Sequence, residues 1–134
     1  MINCSLYGVI RQAQEHPNIG NILGARHGIV GLLNEEFINL RTQPKEIIEG
    51  LQQTPASALG SCRHKVKTND YEKIMEIIKH NTIRYFIYIG GNDSMDTAHQ
   101  IHQLAQDCGY ELFVGGVPKT IDNDLPFTDH CPGY

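Results

Sequence analysis

The sequence lacks the features that mark several common classes of protein. Its four cysteines lie far apart with no C-x-x-C pair, which fits neither a zinc site nor a small disulfide framework. No run of like charges reaches five residues and the formal net charge is -4, so nucleic acid and anionic membranes are not expected as partners. The longest apolar run, YFIYI, is too short to span a bilayer, and no leader peptide is evident. These absences predict a cytoplasmic protein.

Apolar periodicity predicts an α/β protein. Helical spacing is found over residues 3–15, in PKEIIEGLQQ with Pro44 at its first position, in NDYEKIMEIIKHN with Asn69 or Asp70 as its cap, and in SMDTAHQIHQLAQDCG. NIGNILGAR is typical of a short strand and HGIVGLL of a turn with a helical stub, while IRYFIYIGG and YELFVGGVP are typical of strands buried on both faces of a parallel sheet. The strand–helix–strand order of the second half predicts a βαβ unit. We therefore expect one domain with an open, mostly parallel, Rossmann-like sheet and flanking helices.

Two polar loops follow the last two predicted strands. In the first, GGNDS at residues 90–94, two glycines let the backbone approach a ligand, and the next helix offers its N-terminal N–H groups to an anion. The second, GGVPKTIDNDLP, crowds Lys119, Asp122 and Asp124 into six positions. Because parallel strands end at the same edge of a sheet, we expect the two loops to converge on one site.

Each loop also has a purely local interpretation. Asp93 or Ser94 could simply cap the following helix, and TIDND could form an Asx-turn. Capping accounts for one acidic residue in each loop, however, and leaves Lys119 and the second aspartate unexplained.

Other polar residues give weaker indications. His99 and His102 are spaced i, i+3 on a predicted helix, but no third metal ligand is suggested nearby, so an exposed helix surface is favoured. No serine lies in a G-x-S-x-G elbow, so a catalytic triad has no support. Arg63, in the basic loop SCRHKVK, suits either a solvated turn or a phosphate clamp.

Four segments together resemble the 6-phosphofructokinases, and most closely their pyrophosphate-dependent branch. The segments are LGSCRHK, GGNDSMDTA, GVPKTIDNDL and the terminal TDHCPGY, and the resemblance extends over nearly the whole chain. Single loops are weak evidence, but four in the right order make chance an unsatisfactory explanation. The resemblance implies transfer of a phosphoryl group from pyrophosphate to the 1-hydroxyl of fructose 6-phosphate, with Mg²⁺ as cofactor.

The resemblance also implies roles for the residues of the second loop. In the family's T-I-D-x-D motif the first aspartate, here Asp122, is the general base that takes the proton of the sugar hydroxyl. Thr120 and Asp124 match positions around the sugar and the transferred phosphoryl group. An aspartate suits this task, since in phosphoryl transfer the protein mainly positions the groups and neutralises charge.

On the donor side, the resemblance implies that Asp93 and Lys119 select pyrophosphate and belong with Asp122 to the catalytic residues. ATP-using relatives have glycine at both positions. A carboxylate at residue 93 repels the further phosphate of ATP, and Lys119 adds a compact positive charge for pyrophosphate. The implied donor-binding residues are Gly90, Gly91, Asp93, Ser94, Arg63 and Lys119.

The chain departs from the family pattern in three ways. Asn92 stands where the family commonly has an aspartate that helps to hold Mg²⁺, so it is an uncharged candidate ligand. The chain begins after the family's first strand and glycine-rich loop, and it ends before the second domain. We therefore expect residues 1–134 to be a partial N-terminal, donor-binding and catalytic domain that is inactive alone, from a complete enzyme that is a homo-oligomer.

Two other functions stay open at this point. The chain could be a non-catalytic remnant that binds phosphate or pyrophosphate, or it could derive from an ATP-dependent phosphofructokinase. A protein-interaction module has only the generic support of exposed sheet edges.

Overall fold

Helices and strands alternate along the computed structural model, which describes residues 1–134. The residues fall into two structural units, Met1–His64 and Lys65–Tyr134. No helix of either unit is both long enough and apolar enough to cross a membrane.

The first unit has one long helix, two short ones and an antiparallel strand pair. Strands β1 (Leu23–Ala25) and β2 (Phe37–Asn39) pair from Leu23 opposite Asn39 to Ala25 opposite Phe37. The sequence predicted the first of these strands and the helical stub after it, but it did not predict β2. The elements are α1 (Ile2–Gln14), β1 (Leu23–Ala25), α2 (Ile29–Leu33), β2 (Phe37–Asn39), a 3-10 turn (Leu40–Thr42) and α3 (Lys45–Gly50).

Buried polar side chains tie the loops of this unit to α1. The Nδ2 of Asn3 donates to Thr54 Oγ1 at 3.0 Å, and its Oδ1 accepts from the Ala58 backbone N–H at 2.7 Å. Asn3 itself is only 2% exposed, so these bonds are shielded from water. The loop after α3 is therefore held by a side chain of the first helix.

The second unit contains the predicted βαβ arrangement. Strands β3 (Tyr85–Gly90) and β4 (Phe113–Pro118) are parallel, with Tyr85 opposite Phe113 at one end and Gly90 opposite Pro118 at the other. Their connecting helix packs against both strands. Its apolar face and that of the preceding helix bury Ile74, Ile78 and Ile101 completely. The elements are α4 (Thr68–His80), β3 (Tyr85–Gly90), α5 (Asn92–Asp107) and β4 (Phe113–Pro118).

The prediction that both strands are buried on two faces is wrong for one face. Tyr85 and Phe113 stack with ring centroids 5.4 Å apart, yet they remain 49% and 55% exposed. Ile87, which shares their face, is 42% exposed. The reason is that the sheet has only two strands and α5 packs on the opposite face, where Met95 meets Gly116.

Predicted helix starts are shifted by a few residues. α3 begins at Lys45, so Pro44 precedes the helix instead of opening it. α4 begins at Thr68, and Asp70 caps it from within the first turn by accepting the Lys67 backbone N–H at 2.9 Å. Pro44 fits just outside the helix because it has no N–H to lose there.

Candidate functional site

The two polar loops start side by side, as the sequence predicted. β3 ends at Gly90 and β4 at Pro118, which are register partners. The next residue continues the contact, since the Lys119 backbone N–H donates to the Gly90 carbonyl at 2.7 Å. Both loops therefore leave the same edge of the sheet, the edge at which parallel α/β proteins bind ligands.

The N-terminus of α5 has free backbone donors. The helix begins at Asn92, its N-cap is Gly91, and no side chain caps it. The first helical bond runs from Met95 N–H to the Gly91 carbonyl at 3.0 Å. The N–H groups of residues 92–94 are thus left for an outside partner. This overturns the alternative in which Asp93 or Ser94 caps the helix, and the geometry suits an anion.

Gly90 is required by the tight passage from β3 into α5. A Cβ at this position would collide with the side chain of Ser94, whose hydroxyl and Cβ lie in that space. Gly91 is less constrained, because a Cβ there would lie 3.8 Å from the Lys119 carbonyl oxygen. The first glycine of the pair therefore lets Ser94 fold back over the strand end.

The second loop is closed on itself by hydrogen bonds across its base. The Thr120 backbone N–H donates to the Pro132 carbonyl at 2.9 Å. Asn123 has φ of 51°, a left-handed conformation that asparagine tolerates, and its Oδ1 accepts from the Cys131 backbone N–H at 2.7 Å. Its Nδ2 donates to the Asp129 carbonyl at 3.2 Å. These bonds give residues 119–134 a defined shape without a helix or strand.

Within this loop, Thr120 orients Asp122. The Asp122 backbone N–H donates to Thr120 Oγ1 at 3.2 Å, and the same hydroxyl donates to Asp122 Oδ2 at 3.3 Å. Thr120 is 8% exposed, whereas the carboxylate that it contacts is exposed. The local-turn interpretation is therefore correct in part, although threonine forms the turn around residue 122.

The two loops meet around an open cavity of about 290 Å³, which is at the small end for ligand pockets. Asn92 Nδ2 donates to Asp124 Oδ2 at 2.7 Å and so connects one loop to the other. The cavity is lined by Gly91, Asn92, Asp93, Ser94, Thr120 and Asp122. It combines free N–H donors from a helix end with a positioned carboxylate.

Three predicted donor residues, Gly90, Lys119 and Arg63, do not line this cavity. The Lys119 side chain is half-buried and extends over Gly133, where its Cε lies 3.1 Å from the point that a Cβ on this glycine would occupy. Its ammonium group makes no ion pair. Arg63 is exposed and belongs to the unit Met1–His64.

A metal ion would need ligands beyond the side chains of this chain. Nowhere do three histidine, cysteine, aspartate or glutamate side chains converge as a metal site requires. The oxygens near the cavity, from Asn92, Asp93, Asp122 and Asp124, are nevertheless of the hard type that Mg²⁺ prefers.

Sequence reasoning missed the residues that close the second loop. Asn123 and Cys131 bond to each other across eight positions, and the Cys131 side chain is fully buried. An asparagine next to aspartates indicated a turn, but nothing in the sequence indicated that its partner lay in the terminal HCPG segment.

Comparison with known proteins shows the family to which this α/β chain belongs. The Phosphofructokinase family model matches residues 1–134, so the chain belongs to this family. The resemblance drawn from the four segments is thereby confirmed.

Several relatives carry the name of the pyrophosphate-dependent branch. The chain is 43% identical over 140 residues to the pyrophosphate--fructose 6-phosphate 1-phosphotransferase of Methylococcus capsulatus and 45% identical over 139 residues to that of Xanthomonas campestris. It matches the crystal structure of a pyrophosphate-dependent phosphofructokinase from Marinobacter aquaeolei with a TM-score of 0.91 and 48% identity over 98% of the chain. In each case the chain spans 33% of the relative's length.

Proposed function

We propose that the chain forms the donor-binding and catalytic part of a pyrophosphate-dependent 6-phosphofructokinase. Such an enzyme transfers a phosphoryl group from pyrophosphate to the 1-hydroxyl of fructose 6-phosphate. The observation that supports this proposal best is the cavity at which the uncapped N-terminus of α5 faces Asp122. One wall suits a phosphate and the other suits an attacking hydroxyl.

Asp122 is the proposed general base. Its carboxylate takes the proton of the sugar hydroxyl as the hydroxyl oxygen bonds to phosphorus and the bridging P–O bond of pyrophosphate breaks, releasing phosphate. Thr120 supports this role, since its hydroxyl bonds both the backbone N–H and Oδ2 of Asp122 and leaves the other carboxylate oxygen free. Asp124 is a further proposed contact near the sugar and the transferred phosphoryl group.

The N–H groups of residues 92–94 are the proposed contacts to the donor phosphate, with Gly91 allowing its close approach and Gly90 leaving room for Ser94. Asp93 also lines the cavity and is exposed, so its charge disfavours a longer polyphosphate such as ATP, with solvent weakening the repulsion. Lys119 and Arg63 remain proposed donor contacts that rest on the resemblance.

The family implies Mg²⁺, and the residues present fit it in part. The amide oxygen of Asn92 and the free carboxylate oxygen of Asp124 would hold the ion together with phosphate oxygens, as is usual for Mg²⁺. When bound, it neutralises charge on the transferring group. We further propose a cytoplasmic location, which the four free cysteines support, and a homo-oligomeric complete enzyme.

A chimera tests the proposed function. The 134 residues would replace the matching third of the Methylococcus capsulatus relative, and formation of fructose 1,6-bisphosphate would be measured with pyrophosphate or ATP. We expect activity with pyrophosphate that Asp122→Asn lowers by about 10²-fold or more. A folded chimera whose pyrophosphate rate survives that substitution would show that Asp122 is not the base.

A second candidate, a non-catalytic phosphate-binding protein, is favoured by the same free N–H groups taken without the sugar site. Calorimetry of the 134-residue chain with pyrophosphate and Mg²⁺ separates the two. Binding by the chain together with an inactive, folded chimera would support the second candidate, whereas an active chimera would exclude it.

A further inference from the structure

One hydrogen bond joins the two loops of the site through side chains alone. It runs from Asn92 Nδ2 to Asp124 Oδ2 over 2.7 Å and connects residues that are 32 positions apart. An ionised carboxylate can only accept hydrogen bonds, so the amide nitrogen of Asn92 must be the atom that faces it. The distance is typical of a charge-assisted bond.

Asp124 is held by a side chain of the other loop, whereas Asp122 is held within its own loop. Asp122 is held within its own loop by Thr120. The carboxylate of Asp124 has Asn92 as its one hydrogen-bond partner and forms no ion pair. The orientation of Asp124 is therefore set from α5.

The identity of residue 92 decides whether this contact needs a metal. Two carboxylates at the same separation would repel each other unless a cation lay between them. An amide supplies the donor itself and needs no cation. We propose that Asn92 is a positioning residue that holds Asp124 at the cavity without a metal ion, so that a divalent cation enters with the phosphate ligand and is not needed to assemble the site.

This inference rests on the proposed function only for the role of Asp124 beside the phosphoryl group. Its test uses neither pyrophosphate nor sugar, so it can fail while the proposed function stands, and the reverse also holds.

The first variant is Asn92→Asp in the full 134-residue chain, with Asn69→Asp as its matched control. Each substitution adds one negative charge in the first turn of a long helix, directly before an aspartate. Asn69 is exposed and lies far along the chain from Asp124. Thermal unfolding would be followed in EDTA and in millimolar MgCl₂.

We expect Asn92→Asp to lower the melting temperature by about 3 °C or more in EDTA, and MgCl₂ to restore it, because the new carboxylate pair binds the cation. The wild-type chain and Asn69→Asp should respond to MgCl₂ by less than about 1 °C. If Asn92→Asp melts like Asn69→Asp in EDTA, or if MgCl₂ leaves it unchanged, the inference is wrong.

The exchanged pair Asn92→Asp with Asp124→Asn provides the rescue. It reverses donor and acceptor but keeps one amide and one carboxylate, so we expect a melting temperature close to that of the wild type in EDTA and no response to MgCl₂. This result also decides the case in which Asn92→Asp alone does not fold. An exchanged pair that stays as unstable as the single variant would overturn the positioning role.

Discussion

The Thr120 hydroxyl makes two bonds that a methyl group of the same size cannot make. Thr120→Val keeps the shape of this nearly buried side chain but leaves the Asp122 backbone N–H without its acceptor. We expect the free energy of unfolding to fall by about 1–3 kcal/mol. We also expect amide exchange at Asp122 to become faster, as measured by NMR.

Thr120→Ser is the matched control, since it keeps the hydroxyl and removes only a methyl group. Its amide exchange at Asp122 should stay close to that of the wild type. Equal exchange rates in the valine and serine variants would mean that the hydroxyl does not hold the turn.

Residues 93 and 119 carry the prediction about donor choice. In the chimera, Asp93→Gly with Lys119→Gly removes the carboxylate that we propose disfavours ATP and the ammonium group that we propose favours pyrophosphate. We expect kcat/KM for pyrophosphate to fall by about 10-fold or more and ATP to become a detectable donor, measured with each donor in turn. An unchanged pyrophosphate rate in the double variant would show that these residues do not select the donor.

The two single variants show how much each residue contributes to the change in donor use. Because Asp93 lines the cavity and the Lys119 side chain extends over Gly133, we expect Asp93→Gly to account for most of the change toward ATP.

At the scale of elements, we expect substitution of glycine by alanine to have opposite effects on stability at two positions. Gly90→Ala would place a Cβ against Ser94 at the junction of β3 and α5, which should destabilise the chain by about 1–3 kcal/mol. Gly8 lies inside α1 with nothing within 4 Å of its missing Cβ. Gly8→Ala should therefore stabilise the chain by about 1 kcal/mol, because alanine favours helix.

Urea unfolding of both variants checks this pair. A destabilised Gly8→Ala would mean that α1 has a neighbour on that side, and an unchanged Gly90→Ala would mean that Ser94 moves aside at little cost.

The elements differ in how far the sequence could predict them. α4, α5, β3 and β4 were predictable because their apolar spacing is regular over 6 to 16 residues, and the resulting parallel pair places both polar loops at one edge. β2 has only three residues and its partner lies across a turn, so local pattern was too short to identify it. The exposed stack of Tyr85 and Phe113 was unpredictable for another reason, since apolar strands look the same whether one face or two are covered.

The features of the site also differ in how far the sequence could predict them. The two loops and most of the cavity lining followed from glycines and charges next to strand ends. The bond from Asn92 to Asp124 and the closure by Asn123 did not follow, because each joins residues that are distant from each other in the sequence, and the Asn123 side chain bonds to backbone groups that the sequence does not mark.

At the scale of the whole molecule, the chain has a natural point of cleavage. Residues 61–67 have no helix or strand and carry three exposed trypsin sites, at Arg63, Lys65 and Lys67. We expect limited trypsin digestion to cut here first and to release fragments that correspond to the two units, identified by mass spectrometry. Early cuts at Lys73 or Lys79, inside α4, would instead mean that this helix opens more readily than the connecting segment.

The hydrogen bonds that close residues 119–134 make the labelling rate of one buried thiol a measure of how fast this loop opens. Cys131 is wholly buried, and its segment is held by the bonds from the Thr120 N–H to the Pro132 carbonyl and from the Cys131 N–H to Asn123 Oδ1, whereas Cys4 and Cys108 are exposed. An alkylating reagent should therefore label the exposed thiols at once and Cys131 only as fast as the loop opens, and pyrophosphate should slow that last step alone if it binds at the cavity. The alkylation rate of Cys131 thus reports how often the proposed catalytic loop opens.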